Sequence, residues 1–192
     1  PTPQTIPGFG FASVVTAGLN DSFALIDGNI YAWGKNGEAI QAEFDSLPIS
    51  GDVIQIESGR THICLLNSAG EVYCAGGDAE GQISDAPTGD GYTQISMGVD
   101  FGCALHGSGS IACWGQDNFG QATPPVGLFT QISVQAIHGC ALDTVGEISC
   151  WGVSNEGSYD YGQATDVPEG SYRQISAGAR HNCAIDSGGS LH

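Results

Sequence analysis

Cys103-Ala104-Leu105-His106-Gly107-Ser108-Gly109-Ser110-Ile111-Ala112-Cys113-Trp114-Gly115 is the stretch on which the fold turns. Two short apolar runs flank a polar Gly/Ser segment, the pattern of a β-hairpin. If Cys103 faces Cys113, then Leu105 faces Ile111 and Ala104 faces Ala112. Side chains alternate along a strand, so cysteine and the large aliphatic share one face. The small residues take the other face, where a neighbouring sheet can approach closely. The same register pairs Cys140 with Cys150 and Leu142 with Ile148, and pairs Cys64 with Cys74 and Leu66 with Val72. An earlier hairpin is one residue shorter. There Phe23 faces Ala32, Leu25 faces Ile30, and Asp27-Gly28 makes a two-residue turn of the primed type.

Outward from the hairpin the chain repeats. Tyr92-Thr93-Gln94-Ile95-Ser96 returns as Phe129-Thr130-Gln131-Ile132-Ser133 and as Tyr172-Arg173-Gln174-Ile175-Ser176. Weaker copies are Val53-Ile54-Gln55-Ile56-Glu57 and Ser13-Val14-Val15-Thr16. The anchors Val15, Ile56, Ile95, Ile132 and Ile175 are spaced by 41, 39, 37 and 43 residues. Each period holds one supersecondary unit, stacked on the next. A glycine-rich corner ending in Gly-Gln follows each hairpin, as in Gly120-Gln121, and then a connector with proline, such as Pro124-Pro125 or Val167-Pro168. No window holds apolar residues at helical spacing, and 30 glycines argue for tight turns instead of long helices. The expectation is an all-β chain, a partial or open β-propeller arc of about four and a half blades. Residues 1–10 read as linker or an N-terminal edge strand. Repeats follow over 11–52, 53–91, 92–128, 129–171 and a shortened 172–192.

These pieces resemble the regulator-of-chromosome-condensation repeat in its short, cysteine-paired bacterial form. The resemblance rests on Gln174-Ile175-Ser176-Ala177-Gly178, on Gly-x-x-His at Gly59 to His62 and Gly178 to His181, and on the Cys-Ala-Leu, Cys-Trp-Gly and Gly-Gln pieces. It implies a propeller of antiparallel four-stranded blades, usually about seven in a closed ring. The chain departs from that pattern. It has fewer repeats than a ring, and its fifth copy stops one residue before a second cysteine is due. Its fourth copy carries extra residues around 155–161. An open sheet edge is a pairing hazard. The expectation is therefore a piece of a longer propeller, or an edge covered by a neighbouring subunit or by residues 1–9. A start at Pro1 in linker composition likewise reads as a processed protein or an excerpt.

Six of the seven cysteines form three pairs ten residues apart, and Cys183 is the odd one. Directly opposed residues on antiparallel strands lie within disulfide reach. Zinc sites use Cys-x2–4-Cys knuckles, and none occurs. A cytosolic chain would keep these residues as reduced core thiols. Read as disulfides, they put the chain in an oxidising compartment: extracellular, cell-surface or periplasmic.

The charge excludes whole classes of function. Four Lys+Arg stand against 21 Asp+Glu, a formal net charge of −17. A nucleic-acid binder needs a basic footprint, and this chain lacks one. No run of 18 apolar residues is present, so no membrane span is expected. No nucleophile elbow or phosphate loop occurs, no dinucleotide fingerprint follows a strand and opens a helix, and the carboxylates are scattered. A catalytic role is not expected, and no cofactor. The acidic corners leave room for Ca2+, though no EF-hand pattern supports it. His62, His138 and His181 recur at one repeat position and read as structural, since equivalent places on successive blades do not converge on one ion. Trp33, Trp114 and Trp151 also recur at one position and read as core.

The best recognition candidate is the fourth-repeat insertion, Asn155, Glu156, Tyr159, Asp160 and Tyr161, with Asp117 and Phe119 in the third-repeat corner beside it. Exposed tyrosines offer large contact area at low entropic cost. Asn20-Asp21-Ser22 is a glycosylation sequon at Asn20. The first functional reading is an extracellular, non-catalytic protein-binding or scaffold module, with a subunit of a fibrous or surface assembly as a variant in which open edges self-associate. The family resemblance implies a second reading, an inhibitor of a secreted hydrolase such as a β-lactamase. There Phe119, Tyr159, Asp160 and Tyr161 would serve. It also implies guanine-nucleotide exchange, which the cysteine pairs and the acidity oppose.

Overall fold

In the computed structural model, residues 12–154 and 157–192 are described. The expected hairpins form in the expected registers. Cys103 pairs with Cys113, Ala104 with Ala112 and Leu105 with Ile111. Cys140 and Cys64 pair likewise with Cys150 and Cys74. Phe23 opposes Ala32 and Leu25 opposes Ile30. Asp27 and Gly28 both take positive φ, 50° and 80°, as a primed two-residue turn requires.

Each hairpin gains an inner strand from the Gln-Ile-Ser piece, giving antiparallel sheets in simple up-and-down order. The first blade is β1 (Ala12–Ala17), β2 (Asp21–Ile26) and β3 (Asn29–Gly34). The helix α1 (Gly37–Ser46) follows it. The second blade is β4 (Val53–Ser58), β5 (His62–Asn67) and β6 (Val72–Gly76). The third is β7 (Tyr92–Met97), β8 (Phe101–His106) and β9 (Ile111–Gly115). The fourth is β10 (Phe129–Gln135), β11 (His138–Asp143) and β12 (Ile148–Gly152). The fifth holds β13 (Tyr172–Ala177) and β14 (Asn182–Asp186), with an isolated bridge from Ile185 to Leu191.

Two features depart from the sequence reading. The first four sheets have three strands, not four. After the second and third hairpins the segment folds instead as a corner held by its own carboxylate. Asp78 accepts from the amides of Ile83 and Ser84, and Asp117 accepts from the Ala122 amide and the Thr123 hydroxyl. Those amides hold the Asp78 carboxyl below the usual range. The prolines that follow lack the N–H a further ladder would need. The second departure is α1. Ile40 and Phe44, four apart among Glu, Ala and Gln, bury one face. The helix covers the outer edge of the first blade, where Gln41 Oε1 accepts the Ala32 amide at 2.9 Å. With Phe23, Leu25, Ile56 and Ile63 it fills the joint between the first two blades.

Packing runs blade on blade. Cys64, Leu66 and Cys74 of the second blade meet Ile95 and Ala104 of the third. Cys103 and Leu105 of the third meet Ile132 and Ala141 of the fourth. Cys140 and Leu142 of the fourth meet Ile175 and Ala184 of the fifth. Each disulfide face thus lies on the small-residue face of the next sheet. The three bridges are Cys64–Cys74, Cys103–Cys113 and Cys140–Cys150, with Cα atoms 4.0 to 4.1 Å apart. Cys183 is unbridged, opposite Ser176 on β13.

Polar hooks reinforce the joints. Gln55 of the inner strand donates from Nε2 to Ile95 O at 2.8 Å and accepts the Ile95 amide at 2.9 Å. Gln94 does the same to Ile132. Gln131 accepts the Ile175 amide at 3.0 Å. Two residues on, Ser96 accepts the Val134 amide and Ser133 the Ala177 amide, at 3.0 and 2.9 Å. An amide side chain carries an N–H donor beside a C=O acceptor, as a peptide group does, which is why glutamine suits this place.

Candidate functional site

The register that opposes Cys103 and Cys113 also brings every glycine-rich corner to one rim of the arc, because the end of each third strand lies beside the start of the second. On that rim the third to fifth blades gather four side chains. Phe119 and Tyr159 meet edge to face, ring centroids 5.8 Å apart. The Arg180 guanidinium stands over the Tyr161 ring, 4.6 Å from its centroid. Tyr159 and Tyr161 are 57% and 51% exposed, so contact area stays open on both.

The corner beneath is built by a buried glutamine. Gln163 accepts the Tyr161 amide at 2.6 Å and donates to Tyr159 O at 2.8 Å, which fixes the backbone of both tyrosines. Gln121 holds the Phe119 amide in the same way at 2.8 Å. Asp160 Oδ1 accepts the Gly162 amide at 2.9 Å. The tyrosines are therefore mounted on a braced loop, which reduces the ordering cost of binding.

Beside Tyr161 and Arg180 a cavity of about 390 Å3 opens between the fourth and fifth blades, floored by Cys140, Cys150 and Ile175. At the two preceding joints an indole fills this corner. Trp114 donates to Gln82 O and Trp151 to Gln121 O, both at 2.8 Å. Here Asn182 takes that role, donating to Gln163 O at 2.6 Å while its Oδ1 accepts from His138 Nε2 at 2.8 Å.

Of the sequence candidates, Phe119, Tyr159, Asp160 and Tyr161 lie together on this rim. Asn155 and Glu156 lie outside the described residues, as does the expected edge strand of residues 1–10. Asp117 sits on the same rim with its carboxylate engaged by its own corner. Asn20 lies exposed in the turn between β1 and β2. Arg180 was not singled out by sequence. It is one of only four Lys+Arg in the chain, and that scarcity was the available signal.

The histidines sit at equivalent rim positions on separate blades. His62 and His138 are buried and His181 is exposed. Burial lowers the His62 pKa to about 4 and pushes that of His138 down as well. Among the described residues no group of three His, Cys, Asp or Glu is placed to hold a metal ion. Trp33 departs from the core reading. It is 45% exposed on β3 of the first blade. Among the described residues no helix is long and apolar enough to cross a membrane.

Comparison with known proteins agrees with this fold. Residues 53–82 and 92–121 match the regulator of chromosome condensation (RCC1) repeat. Curated proteins gave no match. Among the solved structures that share the fold are the following three. The CRINKLY WD40 ectodomain of the Arabidopsis thaliana receptor kinase ACR4 superposes with TM-score 0.75 at 21% identity, over 99% of this chain and 65% of that one. Human WBSCR16 gives 0.72 at 19% identity, over 92% and 60%. Prp20p from Saccharomyces cerevisiae, a structure described with its binding to Gsp1p and histones, gives 0.68 at 18%, over 94% and 57%. At such identities the likeness shows the fold, and this chain spans less than two thirds of the length of each.

Proposed function

We propose that this chain, which carries RCC1-type repeats on an open arc of propeller blades, is a non-catalytic extracellular module that binds a protein partner through the rim of its third to fifth blades. The observation that carries the reading is the braced aromatic and arginine cluster of Phe119, Tyr159, Tyr161 and Arg180. Tyrosine and arginine are enriched where binding energy concentrates. Corners from successive blades contribute to one continuous surface, a use for which stacked repeats are suited. That one solved structure of this fold is a receptor ectodomain, and another is described with its protein partners, is in keeping with the reading. Three disulfides support an oxidising compartment.

The test compares the chain with a Tyr159→Ala/Tyr161→Ala/Arg180→Ala variant of unchanged circular dichroism, both immobilised and exposed to secreted proteins of the source. Proteins retained by the wild type and lost by the variant are the expected result. Identical retention by both, or none by either, overturns the rim as a binding surface.

An inhibitor of a secreted hydrolase is the second reading. The Phe119–Tyr159 pair, next to Asp160, favours it by joining aromatic and acidic groups on one loop surface. Slowed turnover by a β-lactamase in the presence of the chain would support it. Unchanged turnover removes that target.

A further inference from the structure

One repeat position opens the second strand of each blade, and its side chain changes from blade to blade. Asp21, His62, Phe101 and His138 hold it, opposite Gly34, Gly76, Gly115 and Gly152 respectively. At the joint of the fourth and fifth blades the imidazole has a protein partner, since His138 Nε2 meets Asn182 Oδ1 at 2.8 Å. The second blade finds no such partner on the third. Gly102, opposite Met97 as Asn182 is opposite Ala177, stands in the asparagine's place. Both ring nitrogens of His62 are left without a hydrogen-bond partner among the described residues, although the residue is only 2% exposed.

A buried imidazole with both nitrogens unpaired is costly. The ring borders a space suited to water. Asp21, Gly59 and His62 share the wall of a small cavity between the first two blades, with Phe23 and Ile40 on its apolar side. About 10 Å3 of it is open to the centre of a water molecule, which is room for one. The Nδ1 edge of His62 lies against Gly59, where a Cβ would stand 2.8 Å from that nitrogen. The Asp21 carboxylate is 6% exposed and accepts the backbone and side-chain amides of Asn36 at 2.6 and 3.0 Å. A carboxylate offers about four acceptor positions, so others remain. The Gly59 carbonyl, packed against Gly18, is a third polar group at this wall. A buried water needs two to four such partners.

We propose that this cavity is a water site built into the first joint, where one ordered water molecule bonds both His62 Nδ1 and the Asp21 carboxylate and so ties the second blade to the first. The water donates one hydrogen to the carboxylate, which can only accept. Its other hydrogen or its oxygen serves Nδ1, according to which ring nitrogen carries the proton. With one carboxylate and one imidazole, the wall offers too few ligands for a metal ion. The site shares no residue with the rim cluster and is independent of it.

A crystal structure fine enough to order the surface waters tests the site on the unaltered chain. One water should lie in the joint, within hydrogen-bond distance of His62 Nδ1 and of an Asp21 carboxylate oxygen. A joint without water density, while surface waters are ordered, overturns the proposal. So does a water that lacks either contact. A variant gives a second test in solution. His62→Phe removes the nitrogens and installs the ring that Phe101 places at the same position of the third blade. Magnetic relaxation dispersion of the solvent should then count one long-lived internal water fewer than in the wild type. An unchanged count in a folded variant overturns the assignment. The crystal test decides the matter even where the variant fails to fold.

Discussion

Trp151 lies flat over Gly139, so close that a Cβ at 139 would stand 2.5 Å from Cζ2 of the indole. Gly102 and Trp114 stand in the same relation, at 2.7 Å. The two residues are directly paired across the hairpin in both blades. Where the tryptophan position holds a small residue, the partner is large, as with Ala75 opposite Ile63. The indole and the glycine are thus one unit, and the space removed from one strand is occupied from the other.

The first prediction follows from that unit. Gly139→Asn should destabilise the chain by about 1–3 kcal/mol through overpacking. Trp151→Ala should cost about 3–5 kcal/mol through lost burial. The double variant reproduces the arrangement at Asn182, where an amide side chain donates to the corner carbonyl. Urea denaturation should find the double variant more stable than the sum of the two losses. Strict additivity would show that asparagine does not substitute for the indole.

The second concerns the hooks. Gln94→Ala leaves both the N–H and the C=O of Ile132 without their partner at a joint where Ile132 is 1% exposed. A loss of roughly 2–3 kcal/mol is expected by equilibrium denaturation. Thr93→Ala serves as a neighbouring control and should cost about 1 kcal/mol or less, because Thr93 is exposed and makes one hydrogen bond. Equal losses would remove the hook from the list of stabilising contacts.

Acid sensitivity is the third. The buried His62 ring is neutral in the fold, with its pKa lowered to about 4 by desolvation, partly offset by Asp100. The unfolded chain binds that proton near pH 6.5. Stability from this site is therefore complete above pH 6.5, falls as pH drops, and has lost roughly 3 kcal/mol by pH 4. His138 acts in the same direction. Phe101 occupies the equivalent place in the third blade, which makes His62→Phe a conservative replacement. Melting curves between pH 7 and 4 should show a smaller acid loss in His62→Phe than in the wild type. Parallel pH profiles would refute the assignment.

Thiol chemistry supplies the fourth. Denatured, unreduced protein should titrate one thiol per chain, that of Cys183. Cys103→Ala/Cys113→Ala should cost roughly 2–3 kcal/mol, since each bridge closes a short loop. Six or seven reactive thiols would remove the bridges and, with them, the support for the proposed extracellular address.

By itself the sequence determined the hairpin strands, their registers, the cysteine partners and the repeat, because each is a local matter of side-chain period and hairpin length. A two-residue period assigns Cys103 and Leu105 to one face however the sheets are later arranged. Other features were decided only by tertiary structure. The helix α1 rests on just two buried aliphatic and aromatic positions, Ile40 and Phe44, too weak a pattern until a neighbouring blade supplies the surface they cover. The fourth strand was lost to corners that satisfy their own amides. The joining of Phe119 to Tyr159 and of Tyr161 to Arg180 links corners 40 and 19 residues apart along the chain, and only the stacking of blades brings such distant loops to one rim.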